Sequence, residues 1–145
     1  MKVIFDVDGT LMDIEQRRHF VSNGNNDWDS FLDPKEMAKD KPNWNVVNVA
    51  RVLQSSVELV VVSARNERHR EITEKQLEAV GLHPAHMFLR PDGDFRSDKE
   101  FKQEVLDSLR KNDWEPDLVF DDRNQVVEMW RSNGISCFQV AEGDF

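Results

Sequence analysis

The chain has 145 residues, a length that fits one domain with its own hydrophobic core. Its net charge of -9 excludes a broad electrostatic contact with nucleic acid, because such binding requires a positive surface that neutralises phosphates. The longest apolar stretch, residues 57–62, is far too short to cross a bilayer, and the N-terminal residues lack the pattern of a secretion signal. We therefore expect a cytoplasmic protein without membrane contact.

The predicted elements alternate between strands and helices. The predicted strands cover residues 3–6, 59–62, 87–89, 118–120 and 136–140. An irregular segment over 13–43 and a helix over 44–54 separate the first two strands, and a helix over 67–80 separates the second and third. A helix carrying Phe101, Val105 and Leu109 precedes the fourth strand, and a helix carrying Val126, Met129 and Trp130 precedes the fifth. The second helix is expected to end at Gly81 and the last near Gly134. The single cysteine, Cys137, is predicted as a buried strand residue.

These elements predict an α/β fold, a three-layer doubly wound parallel sheet formed by one domain over residues 1–145. The strands are mostly continuous apolar runs, which is typical of parallel strands buried on both faces. Segment 13–43 is predicted as a small cap inserted after the first strand, with a turn at residues 23–26 and breaks at Asp33-Pro34 and Lys41-Pro42. Two aromatic residues of the cap, Trp28 and Phe31, are expected either to anchor it to the core or to line a pocket, and anchoring is the commoner role.

Residues with reactive side chains follow four of the predicted strands. Ligands bind beyond the carboxyl ends of strands in an open parallel sheet, so these residues are expected to converge on one crevice. Gly9 is expected to allow the tight turn that aims its neighbours into this crevice. The candidates are Asp6, Asp8 and Thr10 after the first strand, Ser63 and Arg65 after the second, Arg90 after the third, and Asp121, Asp122 and Arg123 after the fourth.

Carboxylates crowded in this way repel one another, and a bound divalent cation resolves the repulsion most simply. Mg²⁺ is the natural candidate, because it prefers hard oxygen ligands and bridges readily to phosphate oxygens. Asp6 and Asp121 are predicted as direct ligands. Asp8 is predicted to bind through its backbone carbonyl, and Asp122 directly or through water.

The same residues predict phosphoryl transfer. One oxygen of Asp6 is expected to attack phosphorus and form an aspartyl-phosphate. Asp8 is expected to protonate the leaving alkoxide and later to deprotonate water. Ser63 is suited to hydrogen-bond a phosphate oxygen, and a lysine of the third predicted helix, Lys99 or Lys102, is suited to neutralise charge in the transition state.

Several motifs resemble the haloacid dehalogenase phosphatase superfamily and its Rossmann-like fold: DVDGTL at residues 6–11, VVVS ending at Ser63, and the Asp-Asp pair at residues 121–122. A closer resemblance is to the 3′-phosphatase domains of T-even phage polynucleotide kinase/phosphatases. It covers VIFDVDGTL near the start, VVVSAR at residues 60–65, GDFRSD at residues 93–98 and DDRNQVVEMWRSNGISCFQVAEGDF at the end. Segment 12–44 departs from that family's pattern, and Ala64 stands where the family has glycine.

The resemblance implies that the phosphate of a polynucleotide 3′ end is removed by the pair Asp6 and Asp8, as nucleophile and as acid and base. It selects Lys102 over Lys99. The residues that it implies at or around the phosphate are Thr10, Arg17, Ser63, Arg65, Arg90 and Arg123. Three other arginines, Arg68, Arg70 and Arg96, are expected on the solvated surface.

The sequence is compatible with three functions. The first is a stand-alone 3′-phosphatase that repairs DNA or RNA ends beside a separate kinase or ligase, since no Gly-x-x-x-x-Gly-Lys-Ser/Thr kinase pattern occurs. The second is a nucleotidase or another small-molecule phosphatase, which the acidic net charge favours. The third is a catalytically inactive end-binding module, which intact Asp6 and Asp8 disfavour.

Overall fold

A computed structural model of the chain describes residues 1–145. Five of its strands form one parallel sheet in the order β5-β4-β1-β6-β7. The predicted α/β fold, a doubly wound Rossmann-like sheet, is confirmed. The strands are β1 (Lys2–Phe5), β2 (Met12–Asp13), β3 (Lys41–Pro42), β4 (Glu58–Asn66), β5 (His86–Arg90), β6 (Leu118–Asp121) and β7 (Ser136–Gln139).

Helices cover both faces of the sheet. In chain order they are α1 (Glu15–Arg18), α2 (Trp28–Phe31), α3 (Pro34–Met37), α4 (Trp44–Leu53), α5 (Arg70–Ala79), α6 (Asp98–Lys111) and α7 (Asn124–Ser132). Phe5 packs in a core with residues of α4 and α5, whereas Ile4 packs in a second core with residues of α6 and α7. Consecutive residues of β1 therefore face opposite cores, as the pleat of a strand requires.

The predicted helices lie where the spacing of apolar residues placed them. The segment predicted as a helix over 67–80 begins with a 3-10 turn, Glu67–His69, and continues as α5. Gly81 and Gly134 follow α5 and α7 with φ angles of 78° and 81°, a left-handed conformation that suits glycine and ends a helix. No helix combines the length and the apolar character needed to cross a membrane.

Segment 13–43 is more ordered than its sequence predicted. It contains three one-turn helices, and β3 pairs with β2 in a short antiparallel ladder. The expected break at Asp33-Pro34 is a helix start, because the Asp33 side chain accepts a hydrogen bond from the Lys35 amide and Pro34 occupies the first turn of α3. The expected break at Lys41-Pro42 is β3 itself.

The centre of the sheet positions the functional residues. β1 lies between β4 and β6, and the amide of Asp6, the residue after β1, donates to the carbonyl of Phe120 in β6 at 3.0 Å. The carboxyl ends of three neighbouring strands therefore meet at one edge. At the far side of the sheet, Cys137 of β7 is buried as predicted, and burial raises the pKa of its thiol to about 12.

Candidate active site

Three aspartates converge at the carboxyl ends of β1 and β6. Asp6 follows β1, Asp121 ends β6, and Asp122 is the next residue. Each offers a carboxylate oxygen within 4.8 Å of the other two, and all three side chains are buried. The two strands pair directly, so neighbours in the sheet bring together acids that are far apart in sequence.

Lys102 of α6 lies between two of these acids. Its Nζ donates to Asp6 Oδ1 at 2.9 Å and to Asp121 Oδ2 at 2.8 Å. Burial alone would lower the pKa of Lys102, but the two carboxylates raise it above its usual value. Lys99, the other lysine considered from the sequence, is exposed.

The turn after β1 shapes the site around Asp6. The Thr10 hydroxyl donates to Asp6 Oδ2 at 3.1 Å, so both oxygens of Asp6 have partners. Gly9 has a φ of 82°, and a Cβ at this position would lie 2.1 Å from Asp122 Oδ2. Glycine is therefore required here both by the backbone and by the space that the Asp122 carboxylate occupies.

The three acids are only partly balanced by positive charge. Burial raises the pKa of Asp6 well above its usual range, although Lys102 opposes this effect. Burial and the neighbouring Asp121 raise the pKa of Asp122 to about 6. Asp122 Oδ2 is buried without a hydrogen-bond partner, and the nearest cation, Arg18, has its Nη2 3.8 Å away. Hard oxygen donors with an unpartnered buried atom fit a divalent cation.

Asp8 is not part of this group, and its carboxylate pairs with two arginines. Its Oδ1 accepts from Arg65 Nη2 at 2.8 Å and from Arg17 Nη2 at 2.9 Å. Burial alone would raise the pKa of Asp8, but Arg65 and then Arg17 lower it below its usual value. The Asp8 carboxylate is thus not among the grouped acids, and its role as a ligand through the backbone carbonyl stays a prediction.

A fourth buried acid, Asp40, was not predicted from the sequence. Both of its oxygens accept from Arg17, Oδ1 from Nε at 2.9 Å and Oδ2 from Nη2 at 2.8 Å, and Oδ2 also accepts from Arg65 at 3.2 Å. The two arginines therefore lie between the carboxylates of Asp8 and Asp40. The sequence carried no signal for Asp40, because it follows no strand of the main sheet and belongs to no recognised motif.

The other predicted arginines pair with Asp98 at the start of α6. Arg90 Nη2 donates to Asp98 Oδ1 at 2.6 Å, and Arg123 Nη1 donates to Asp98 Oδ2 at 2.9 Å. The Ser63 hydroxyl is buried and accepts from the Arg65 amide at 3.2 Å. None of Ser63, Arg90 and Arg123 makes a hydrogen bond to the three grouped aspartates.

Two further contacts were not predicted from the sequence. Trp130 was predicted only as a core residue of α7, yet its indole N–H donates to Asp121 Oδ2 at 3.2 Å. Asp98 had no predicted role, and its position two residues after Arg96 gave no hint that it binds two arginines. Of the three arginines expected on the surface, Arg68 is exposed, Arg70 pairs with Glu67, and Arg96 pairs with Asp94.

Comparison with known proteins gives a family match over the whole chain. The family model described as the polynucleotide kinase PNKP phosphatase domain matches residues 1–145. A chain of the Pnkp1/Rnl/Hen1 RNA repair complex superposes with a TM-score of 0.82 at 29% sequence identity, covering 99% of this chain and 43% of that chain. In a second structure of the same complex, the matched share of the Pnkp1 chain is 47%, so this chain spans less than half of those chains.

More distant likenesses concern the fold alone. A haloacid dehalogenase-like hydrolase from Streptococcus pneumoniae has a TM-score of 0.67 and 13% identity, covering 95% of this chain and 83% of that chain. The HAD domain of effector protein Lem4 from Legionella pneumophila has a TM-score of 0.54 and 17% identity, covering 97% of this chain and 85% of that chain.

Proposed function

The chain belongs to the family of polynucleotide kinase PNKP phosphatase domains, a group of haloacid dehalogenase phosphatases, and on this premise we propose that it is a Mg²⁺-dependent polynucleotide 3′-phosphatase. One observation carries the proposal. Asp6 lies at the end of the central strand, with Lys102 on one carboxylate oxygen and two further buried acids beside it. This arrangement offers a nucleophile, a neutralising cation and oxygen ligands for a metal in one place.

Asp6 is the proposed nucleophile. One of its oxygens forms a bond to phosphorus while the bond from phosphorus to the 3′ oxygen breaks, which gives an aspartyl-phosphate and a free 3′ end. Water then attacks the same phosphorus, releases inorganic phosphate and restores Asp6. Lys102, hydrogen-bonded to Asp6 and Asp121, offsets the negative charge that the transferring phosphoryl group brings.

Asp8 is the proposed proton carrier. Arg65 and Arg17 hold it as a carboxylate in the free protein, which is the form that deprotonates water in the second step. A phosphate that enters near these arginines adds negative charge, which raises the proton affinity of Asp8. Asp8 then takes up a proton from solvent and passes it to the leaving 3′ oxygen in the first step.

The proposed Mg²⁺ ligands are Asp6, Asp121 and Asp122, with the Asp8 backbone carbonyl as a fourth. When bound, Mg²⁺ supplies positive charge that polarises the phosphoryl oxygens. The unpartnered Asp122 Oδ2 supports this assignment, because a buried oxygen without a donor is costly unless something binds it.

The remaining predicted residues are proposed to bind or support the phosphate. Thr10 and Lys102 orient Asp6, and Arg17 and Arg65 orient Asp8. Ser63 lies two residues before Arg65 in β4, and its hydroxyl accepts a hydrogen bond from the Arg65 amide. Arg90 and Arg123, which both pair with Asp98, are proposed to support the bound phosphate.

We assign residues 1–145 to one phosphatase domain with segment 13–43 as its cap. Arg17 and Asp40 belong to this segment, and their hydrogen bonds to Asp8 and Arg65 join the cap to the main sheet. The cap thereby supplies part of the environment of the proton carrier, so we expect its removal to abolish activity.

The polynucleotide substrate is supported by the family and by the RNA repair complex to which a similar chain belongs. By the same likeness, we propose that the protein acts beside a separate kinase or ligase in the repair of nucleic-acid ends. A nucleotidase is the second candidate, because the net charge of -9 disfavours long contacts with a polyanion.

Phosphate release in the presence of Mg²⁺ tests these alternatives on a 3′-phosphorylated oligonucleotide, a mononucleotide and an aryl phosphate. Preference for the oligonucleotide supports the proposal, and preference for the mononucleotide supports the nucleotidase. No turnover of any substrate supports an inactive end-binding module.

The nucleophile is tested by Asp6→Asn, which should abolish both turnover and the phosphoenzyme. Asp113→Asn is the matched control, since Asp113 is exposed and its φ of 57° suits asparagine. Substantial turnover in Asp6→Asn alongside a normal control would refute the assigned role.

A further inference from the structure

Segment 13–43 carries an aromatic pair that is linked through Arg17 to Asp8, the proposed proton carrier. Trp28 and Phe31 lie edge to face with their ring centroids 5.6 Å apart. The Arg17 guanidinium carbon lies 4.6 Å from the centre of the Phe31 ring, and Arg17 donates to Asp8 at 2.9 Å. A continuous series of contacts therefore leads from the Asp8 carboxylate to the Trp28 indole.

Trp28 does not anchor the cap, which was the role expected from its sequence. It is 54% exposed and belongs to neither of the two hydrophobic cores. Phe31 is half-buried, and its carbonyl accepts a hydrogen bond from Arg17 Nη1 at 3.1 Å. Phe31 is therefore held in place where Trp28 packs against it. More than half of the Trp28 surface is thus open to solvent at the end of the series.

The charges around Trp28 determine which kind of ligand its exposed side chain can bind. Asp27 and Asp29 precede and follow it, and both are exposed. The Asp27 side chain also accepts from the Ser30 amide at 3.1 Å, which holds the one-turn helix α2 in place. Two carboxylates repel a phosphate group, whereas they do not oppose a neutral planar ring.

We propose that Trp28 stacks on the nucleobase of the 3′-terminal nucleotide of the substrate. This inference rests on the proposed function and names how the enzyme recognises its polymer end. A 3′-phosphorylated nucleotide has its phosphate and its base on one sugar, so a base stacked on Trp28 would be joined through that sugar to the phosphate held at Asp6. Aromatic side chains bind bases of any sequence by stacking, which suits an enzyme that repairs ends of varied sequence.

The experiment compares Trp28→Ala with wild type on three substrates: a 3′-phosphorylated oligonucleotide, the same oligonucleotide with an abasic 3′-terminal sugar, and an aryl phosphate. We expect kcat/KM on the intact oligonucleotide to fall about ten-fold, the effect of losing one stacked base. Activity on the abasic oligonucleotide and on the aryl phosphate should stay at the wild-type level. Wild type itself should prefer the intact oligonucleotide over the abasic one by a similar factor.

Two further variants separate stacking from a general structural effect. Trp28→Phe retains a ring and should keep most of the activity on the intact oligonucleotide. Trp44→Ala removes another tryptophan of similar exposure, 51%, and should change none of the three activities.

An equal loss by Trp28→Ala on all three substrates, or no loss on any of them, would overturn the stacking role. Hydrolysis of the aryl phosphate without hydrolysis of either oligonucleotide by wild type would overturn the proposed function, and the stacking role with it. Wild-type preference for the oligonucleotide combined with an unaffected Trp28→Ala would overturn the stacking role alone.

Discussion

Arg17 illustrates how burial constrains the role of a single residue. Its side chain is fully buried, and it donates to Asp8, Asp40 and the Phe31 carbonyl. The family resemblance placed an arginine near the substrate at this position. The structure shows that its donors are already occupied by protein oxygens, so its contribution to catalysis is expected to pass through Asp8.

We therefore predict that Arg17→Ala lowers kcat/KM about a hundred-fold or more on an oligonucleotide and equally on an aryl phosphate, the scale of a misplaced proton carrier. Steady-state kinetics on both substrates measure the effect. Arg51→Ala, an exposed arginine of α4, is the control and should retain activity. A loss confined to the oligonucleotide would mean instead that Arg17 reads the polymer.

Asp40→Asn should destabilise the fold. The substitution leaves Arg17 and Arg65 with one carboxylate between them, and disrupting a buried ion pair costs about 3–5 kcal/mol. Urea unfolding measures the change in free energy. Asp29→Asn, an exposed acid in the same segment, should stay within about 0.5 kcal/mol of wild type. Similar effects of the two substitutions would show that Asp40 is not a stabilising partner.

Gly9→Ala should impair the site more than the fold. Gly9 and Gly24 have similar φ angles of 82° and 83°, so alanine suffers comparable backbone strain at both, about 1–2 kcal/mol. Only at Gly9 does the added carbon meet the Asp122 carboxylate, whereas nothing lies within 4 Å at Gly24. Phosphatase assays should show loss of activity in Gly9→Ala and wild-type activity in Gly24→Ala. Equal activities would mean that the Asp122 side chain moves without consequence.

At the scale of elements, α6 connects helix stability to the site. Ser97 caps its N-terminus, and Glu100 completes a capping box with it. The same helix carries Lys102 to Asp6 and Asp121. A frayed first turn is therefore expected to loosen the segment from which the Lys102 ammonium extends to the two acids.

Ser97→Ala should lower the free energy of unfolding by about 1 kcal/mol through loss of this cap. Ser108→Ala on the exposed face of the same helix is the control and should have little effect, because alanine is favoured in a helix interior. Chemical denaturation of both variants decides between a local cap effect and a general intolerance of substitution in α6.

The helices that were predicted correctly from the sequence are those with enough length to show a period. α4, α6 and α7 repeat apolar residues over several turns, and glycines mark the ends of α5 and α7. The helices of segment 13–43 have one turn each, which is too short for any periodicity. A proline at the start of α3 was therefore interpreted as a break in the chain.

The candidate site was predictable where strand ends dictate it. Asp6, Asp121 and Asp122 lie at the carboxyl ends of neighbouring strands of one parallel sheet, and topology brings such residues together. Asp40 and Trp130 reach their partners through side-chain packing between elements. Their contacts depend on three-dimensional geometry that no spacing in the sequence encodes.

At the scale of the whole molecule, metal binding and stability are expected to be linked. A ligand that binds only the folded chain stabilises it by mass action, by about 2.7 kcal/mol at a hundred times its dissociation constant. Mg²⁺ should therefore raise the melting temperature of the wild-type protein, and a chelator should reverse the shift. Thermal unfolding followed by circular dichroism measures it without relying on activity.

Asp122→Asn provides the sharper form of this test. The substitution removes one negative charge from a crowded group of buried acids, so the metal-free variant should melt at or above the wild-type temperature. It also removes a ligand, so the shift with Mg²⁺ should shrink. Asp113→Asn should keep the full shift. An undiminished shift in Asp122→Asn would place the ion elsewhere.

The central position of β1 has a consequence for synthesis of the chain. β1 is translated before its neighbour in the sheet, β6, which begins only at Leu118. A chain that stops before this point has Asp6 without Asp121 and Asp122 and without one of the two strands that flank β1. We therefore expect fragments that end before β6 to be inactive.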